Sequence, residues 1–490
     1  MKHFPTLLEH PMVEFNSIME RDAYTVIFAR MVKYAKYCFE FPLTTANDSD
    51  EHRESGKGSN VVVTGNPGTG KSRFLLYCMF QLTLGEQEDV QQLPLYELVV
   101  NHNEKYVKYD AATKEFVDLD KADVSALMGQ RHVLRLVEAT SSELTGWSGV
   151  SVLFASPGVE GYENFEKVDG LTFTMPTWIL EELKEYNTLL SDRLKLDDDE
   201  LLSRYDLYGG IPRFVFSQTI DRPEAKIHSA ITSFDALKVI SYCRSNAAVR
   251  ENDYSNCVLQ MVPTQADYCG KFYLDFVSMH IAEKIIDKVH GDSLNKVSEF
   301  AVVHDVDHSG STAVVRGRVY ELLSHKQFSL HMVRTLQLRS LGPTAVPVER
   351  LTIPDNMETV RFAAFDQLKL ARNWTYYRPT SRTFGALDAF IWDGNSACYG
   401  LQMTVNADHG IKAAPLNKFL KWLNDQGVPS LKFSFIFLVP SNLEASFRKQ
   451  STRTATGAVS KTPGASGKVG QFVAALDLSF AMHHEPASSA

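Results

Sequence analysis

Val61-Val62-Val63-Thr64-Gly65-Asn66-Pro67-Gly68-Thr69-Gly70-Lys71-Ser72 reads as a short apolar strand, a glycine-rich turn, and a lysine and serine opening a helix over 73–84. That order fits G-x-x-x-x-G-K-[ST] in the strand–loop–helix setting the pattern requires. Gly65, Gly68 and Gly70 accept positive φ and close backbone approach, so successive N–H groups, those of Asn66 and Thr69 included, can curl around a phosphate. A helix N-terminus adds partial positive charge at the same place. Lys71 is expected to reach the β- and γ-phosphates as a point charge, and the Ser72 hydroxyl to ligate Mg²⁺. The implied ligand is ATP or GTP with Mg²⁺. A chance match to this pattern in a chain of this length is on the order of one per cent.

Outward from the loop, Leu95 to Val100 and Tyr106 to Tyr109 read as strands of an inserted hairpin. His132–Glu138 and Val150–Ala155 follow as two more strands. Strands separated by helices around a phosphate loop predict a mostly parallel α/β sheet with ligand at the strands' carboxyl ends. Glu138 ends one strand, where a nucleotide hydrolase needs an acid to hold Mg²⁺ or polarise water; Glu143 is the alternative for that role. Ser156 ends the next strand, as a γ-phosphate sensor or as a plain turn residue before Pro157-Gly158.

Residues 1–55 read as a helical segment (1–45) with a polar linker, 56–175 as the phosphate-loop core, and 176–295 as a helical lid. The lid contains helices over Trp178–Leu194, Glu200–Leu207 and Asp275–Val289. Gly209-Gly210-Ile211-Pro212-Arg213 is a rigid corner from which Arg213 can point back at a phosphate, a planar fork that is always charged. A shift toward histidine and β-branched residues near 290–300 marks the start of a last domain, 296–490.

In that domain, Arg316–His325 begins a helix carrying Glu321. Thr383–Trp392 reads as a strand, Asp393-Gly394-Asn395 as a hairpin turn, and Tyr399–Val405 as the return strand. Asp388 and Gln402 lie equally far from Asn395, so a symmetric turn puts them opposite each other on one face. Period-2 alternation adds Thr404 to that face. A helix carboxylate, a strand Asp and a polar-x-polar pair form the ground plan of a restriction-endonuclease-like core, which gathers oxygen ligands around Mg²⁺ beside a lysine. Here the usual Glu-x-Lys is Gln402-x-Thr404, one negative charge fewer at the metal and no ammonium at the water. His409 and Lys412 lie just downstream as substitutes for the missing cation. Residues 445–470 hold Arg448, Lys449, Arg453, Lys461 and Lys468 without an acid. They read as a flexible basic loop, able to lie along phosphates or simply solvated.

Composition bounds the rest. At 490 residues the chain exceeds one compact core. It is 44% hydrophobic and 22% charged, with mean hydropathy -0.18, which excludes wholesale disorder and membrane-protein composition. A net charge of -9 confines any nucleic-acid surface to a local patch. Six cysteines without C-x-x-C spacing read as reduced thiols. The N-terminus shows no basic-then-apolar signal pattern, so a soluble intracellular chain without membrane partners is expected.

Taken in order, Gly65–Ser72, Phe154-Ala155-Ser156-Pro157 with Tyr162-Glu163-Asn164-Phe165, Gly209–Arg213, and Leu387-Asp388-Ala389 with Leu401-Gln402-Met403-Thr404-Val405 resemble the Crinkler effector and retrotransposon-hot-spot type proteins. The resemblance implies a STAND-like P-loop NTPase joined to a restriction-endonuclease-like domain, acting on DNA or RNA in a nucleus, for Crinklers that of a host cell. By it, Lys71 and Ser72 bind phosphate and magnesium, Arg213 senses nucleotide, and Glu321, Asp388 and Gln402 line the nuclease-like site. The Gln-x-Thr variant is common in that family. The short leucine-rich targeting leader of Crinklers is missing, so a self-acting nuclear protein is an alternative to a secreted one. A nucleotide switch with a catalytically inactive binding domain, and a small-molecule kinase, are the other readings.

Overall fold

The computed structural model of the chain describes residues 2–3, 17–41, 60–102, 105–138, 146–156, 165, 170–219, 221–233, 235–245, 255–302, 312–330, 332–342, 348–362, 368–380, 384–476 and 478. Glu143, Pro157-Gly158 and Tyr162-Glu163-Asn164 lie outside them. The chain divides into two compact units, Met1–Ser233 with Tyr242–Ser278 and Phe234–Ser241 with Met279–Ala490. The division at 278/279 falls earlier than the composition shift near 290–300 suggested; of the expected lid, 176–233 and 242–278 share a unit with the phosphate-loop core, and 234–241 and 279–295 belong to the other.

In the first unit, α1 (Asp22–Glu40) precedes β1 (Asn60–Thr64) and α2 (Lys71–Leu84). Then come β2 (Glu97–His102), β3 (Lys105–Asp110), β4 (Glu115–Asp118), α3 (Lys121–Met128), β5 (Val133–Glu138), β6 (Val150–Phe154) and β7 (Leu171–Thr174). They build one sheet in the order β4-β3-β2-β5-β6-β1-β7. The pairs β2–β5, β5–β6, β6–β1 and β1–β7 are parallel, whereas β3 and β4 add an antiparallel edge. Counted along the chain, the parallel strands lie in the order 5-1-4-3-2.

An interior parallel strand is covered on both faces, which is why β1 is a continuous valine run. Val61 and Val63 pack under α1 and α2 with Phe28, Phe74 and Phe154, and Val62 meets Val137, Leu153 and Phe165 on the other face. Tyr24 stacks on Phe74 at 5.0 Å and Phe28 meets Tyr77 edge-on at 5.8 Å, fixing α1 against α2.

Beyond β7 lie α4 (Leu180–Leu189), α5 (Asp198–Tyr208) and α6 (Asp221–Ser233), followed by an antiparallel hairpin of β8 (Leu259–Pro263) and β9 (Phe272–Phe276). That hairpin corrects the mainly helical reading of 176–300. Apolar Leu259 and Met261 alternate with Gln260, and Leu274 and Phe276 with Asp275, a period-2 strand pattern whose polar members are buried too. The helix expected from Asp275 begins only at Met279.

The second unit starts with α7 (Met279–Asp287), α8 (Gly291–Val302) and α9 (Ala313–Phe328). Its strands are β10 (Arg334–Ser340), β11 (Glu349–Ile353), β12 (Glu358–Phe362), β13 (Thr375–Pro379), β14 (Ala389–Trp392) and β15 (Ala397–Met403). After α10 (Ala413–Asp425) come β16 (Lys432–Val439) and β17 (Gly470–Ala475). They form a mixed sheet ordered β11-β10-β17-β16-β15-β14-β13-β12, with β15, β16 and β17 mutually parallel. One face is covered by aromatic packing of Tyr377, Phe390, Phe419 and Trp422 under α10. The segment 445–470, read as a flexible basic loop, holds a short strand and a 3₁₀ turn. Its Arg453 forms a two-pronged ion pair with Asp408 at 2.8 and 2.7 Å, so that cation is engaged within the fold.

Candidate functional site

The phosphate-loop sequence lies at the carboxyl end of β1, between β6 and β7. Its glycines adopt the conformations their role requires: φ is 143° at Gly65, 88° at Gly68 and 106° at Gly70. Each is also a place of close approach. A Cβ at Gly65 would lie 2.6 Å from the Met175 carbonyl oxygen, at Gly68 2.9 Å from the Cβ of Arg213, and at Gly70 2.6 Å from the Tyr24 hydroxyl. The loop is held from behind. Tyr24 Oη donates to the Gly70 carbonyl at 3.0 Å and Trp178 Nε1 to the Thr69 carbonyl at 2.8 Å. Arg21 stacks over the Trp178 ring at 4.6 Å and grips Glu182 through Nε and Nη2 at 2.8 and 3.0 Å. The Asn66 side chain is committed to β8, donating to Leu259 O at 2.8 Å and accepting from Met261 N at 2.9 Å. The Thr69 hydroxyl donates to Asn66 O at 2.8 Å. These two side chains are therefore committed to holding the loop's shape.

Lys71 is buried, and its Nζ donates to the carbonyls of Gly65 and Asn66 at 2.8 and 2.9 Å. Among the described residues it has no carboxylate partner. Burial, and then the nearby Arg213 guanidinium, push its pKa down to about 7. A buried cation supported only by carbonyls and facing a second cation is a site short of negative charge. Arg213 itself is exposed, on the short helix Pro212–Val215, with its stem against Gly68. Ser72 is exposed at the start of α2, where a phosphate-bound Mg²⁺ would need it, and these residues fit a magnesium–nucleotide ligand.

Glu138 ends β5 level with Phe154 of β6, which is level with Val63 of β1. Two strand spacings, about 10 Å, separate it from the loop strand. Its Oε2 lies 2.7 Å from His102 Nδ1 at the end of β2. Ser156 follows β6 at the same carboxyl edge, partly exposed.

In the second unit the hairpin register pairs Ala389 with Leu401, so Asp388 stands opposite Gln402. Asp388 N donates to Leu401 O at 3.0 Å, and Asp388 Oδ2 accepts from Gln402 Nε2 at 2.6 Å and from Met403 N at 2.7 Å. Both line a cavity of ≈ 260 Å³ together with Glu321 and His325 of α9, Arg318, Arg378, Glu283, His409 and Lys412. Thr404 does not join them. The strand ends at Met403 and alternation ends with it; Thr404 is buried and its hydroxyl accepts from Asn406 N at 3.1 Å.

Burial and the charge of Glu321 push the Asp388 carboxyl up to about 8. Burial acts the same way on Glu321, but His325 and the Arg318 guanidinium at 3.0 Å outweigh it and keep that carboxylate ionised. His325 is pushed down to about 4 by burial and by Arg378, so it is neutral. Its Nδ1 lies 2.5 Å from Tyr376 Oη. Burial raises the Tyr376 pKa, so the phenol stays protonated and donates, which leaves the ring's proton on Nε2, 3.9 Å from Glu321 Oε1. Glu283 pairs with Arg378 and, at 3.0 Å, with Arg361. Among the described residues no group of three or more His, Cys, Asp or Glu side chains is arranged to hold a metal ion. Asp388 Oδ2 is doubly occupied and Glu321 is held by Arg318, a donor set poorer for Mg²⁺ than the one expected around Asp388.

Sequence reasoning did not single out His102, Trp178, Glu283 or Arg378. Each becomes visible only when segments distant in sequence are brought together, His102 and Arg378 on strands, Glu283 on α7 and Trp178 just before α4. No helix among the described residues is long and apolar enough to cross a membrane. No protein-family model matches the chain, and no curated protein matches it.

Proposed function

We propose that the chain is a nucleoside-triphosphate-binding hydrolase of the Crinkler and retrotransposon-hot-spot type, with a P-loop NTPase unit and a restriction-endonuclease-like unit that engages DNA or RNA in a nucleus. One observation carries the first half. Among the described residues Lys71 is a buried amine without an acidic partner, at the mouth of a loop whose three glycines leave no room for side chains. Negative phosphate supplies the missing charge. Lys71 Nζ exchanges its carbonyl contacts for phosphate oxygens, Arg213 approaches from the Gly68 side, and Ser72 offers its hydroxyl to the metal. Mg²⁺ held at Ser72 would neutralise negative charge on the phosphates. Glu138 accepts the proton of the attacking water.

For the second unit, Lys412 at the cavity favours phosphate contact, while Arg318 and Arg378 are paired with Glu321 and Glu283. The doubly hydrogen-bonded Asp388 Oδ2, with Gln402 in place of a second strand carboxylate, favours binding over Mg²⁺-dependent cleavage. The test measures nucleotide hydrolysis and DNA and RNA cleavage side by side for wild type, Lys71→Ala and Asp388→Ala. Loss of hydrolysis in the first variant alone supports the assignment. Efficient metal-dependent cleavage that Asp388→Ala abolishes replaces the binding reading with a nuclease.

A further inference from the structure

We propose that His102 is a positioning residue that holds Glu138 in a resting orientation turned from the phosphate loop and so limits basal nucleotide hydrolysis. The proposal rests on the reading of Glu138 as the acid–base residue of that hydrolysis. His102 and Glu138 are register partners at the carboxyl ends of the neighbouring parallel strands β2 and β5. Their side chains meet at 2.7 Å, Nδ1 to Oε2. The strand order places β2 on one side of β5 and β6 and β1 on the other. The imidazole therefore draws the carboxylate toward the side opposite the loop. Lys105, opposite His102 on β3, is the other charged group in this register.

The contact has a chemical cost for catalysis as well as a geometric one. In hydrolysis the water oxygen bonds to the γ-phosphorus, the bond from that phosphorus to the β–γ bridging oxygen breaks, and Glu138 takes a water proton; the products are nucleoside diphosphate and phosphate. Before Glu138 can take that proton, its hydrogen bond to the His102 imidazole must break.

The experiment uses the full chain with ATP and Mg²⁺. His102→Ala is expected to raise kcat about tenfold, within the range of general-base effects, with KM and the nucleotide Kd unchanged. His102→Asn, whose amide nitrogen can take the place of Nδ1, is expected to restore the wild-type rate. A second readout needs no turnover: the His102 Nδ1 resonance, followed by ¹⁵N NMR of labelled histidine, is expected to move in Glu138→Gln, and in wild type on addition of a non-hydrolysable ATP analogue with Mg²⁺. A kcat that falls or stays constant in His102→Ala, or a resonance indifferent to Glu138→Gln, overturns the proposal. Turnover that is unaffected by Glu138→Gln removes the role of Glu138 itself. Turnover abolished by Glu138→Gln yet unmoved by His102→Ala removes only the restraint.

Discussion

Lys71 and Asp388 are the two titratable side chains whose surroundings work hardest against their ordinary charge, and each makes a prediction. Lys71 sits near 7 in the ligand-free fold because burial and Arg213 disfavour the ammonium. A phosphate partner restores it, so nucleotide binding is expected to take up a proton, and affinity to fall by up to about tenfold per pH unit above 7. Calorimetry in two buffers of different ionisation enthalpy reads the uptake directly. Lys71→Ala should remove it and weaken binding by about 10- to 100-fold, the range of a charge-assisted contact. Asp388 has the opposite sign of problem. Its folded pKa, raised to about 8, exceeds the unfolded value of about 3.9. The folded state thus binds the extra proton between those values, and stability is lost as pH rises through that window. Asp388→Asn lacks this loss, so wild-type Tm is expected to fall relative to the variant from about pH 4 to 8. A constant difference would show that the carboxyl is ionised throughout. Both residue types were readable as candidates from the motif and the hairpin symmetry. Their protonation states were not, because burial is a property of the packed interior.

At the scale of elements, β1, the phosphate loop and α2 act through what is packed behind them. Trp178 Nε1 and Tyr24 Oη each satisfy a loop carbonyl from elements far away in sequence. Trp178→Phe keeps the ring and deletes the donor, leaving the Thr69 carbonyl buried without it. A loss of about 1–3 kcal/mol in stability is expected, from denaturant unfolding, with weaker nucleotide binding as the loop loses its hold. The strand–loop–helix element was legible because glycine spacing and a valine run are local signals. The β8–β9 hairpin was not recognised, although its alternation was present, because flanking amphipathic helices made the whole span look helical. Thr404 shows the limit of periodicity from the other side: alternation predicts a face only while the strand lasts, and β15 stops one residue earlier.

For the whole molecule, the relevant fact is that two compact units share one chain, so a ligand's effect is to be read on the unit that binds it. Saturating ATP with Mg²⁺, at about 100 times its Kd, is expected to stabilise the phosphate-loop unit by about 2.7 kcal/mol. A thermal shift that is present in wild type and absent in Lys71→Ala is the measurement; no shift in either protein would count against nucleotide binding. The net charge of -9 makes any nucleic-acid contact of the second unit local and salt-sensitive. Affinity for single-stranded DNA or RNA is expected to decline steeply between 50 and 200 mM salt if a handful of phosphates are contacted, on the order of a hundredfold.

Short-range chemistry lay open in the linear chain: the glycine loop with its lysine and serine, the mixed α/β class, and the pairing of Asp388 with Gln402 across a symmetric turn. These depend on backbone conformation and spacing over a few residues, which composition and order settle by themselves. Only the tertiary structure decided that β1 lies between β6 and β7, that His102 meets Glu138, that Lys71 has no carboxylate partner among the described residues, and that burial raises the pKa of Asp388. Strand order and desolvation arise from contacts between residues tens to hundreds of positions apart, and no local pattern encodes them.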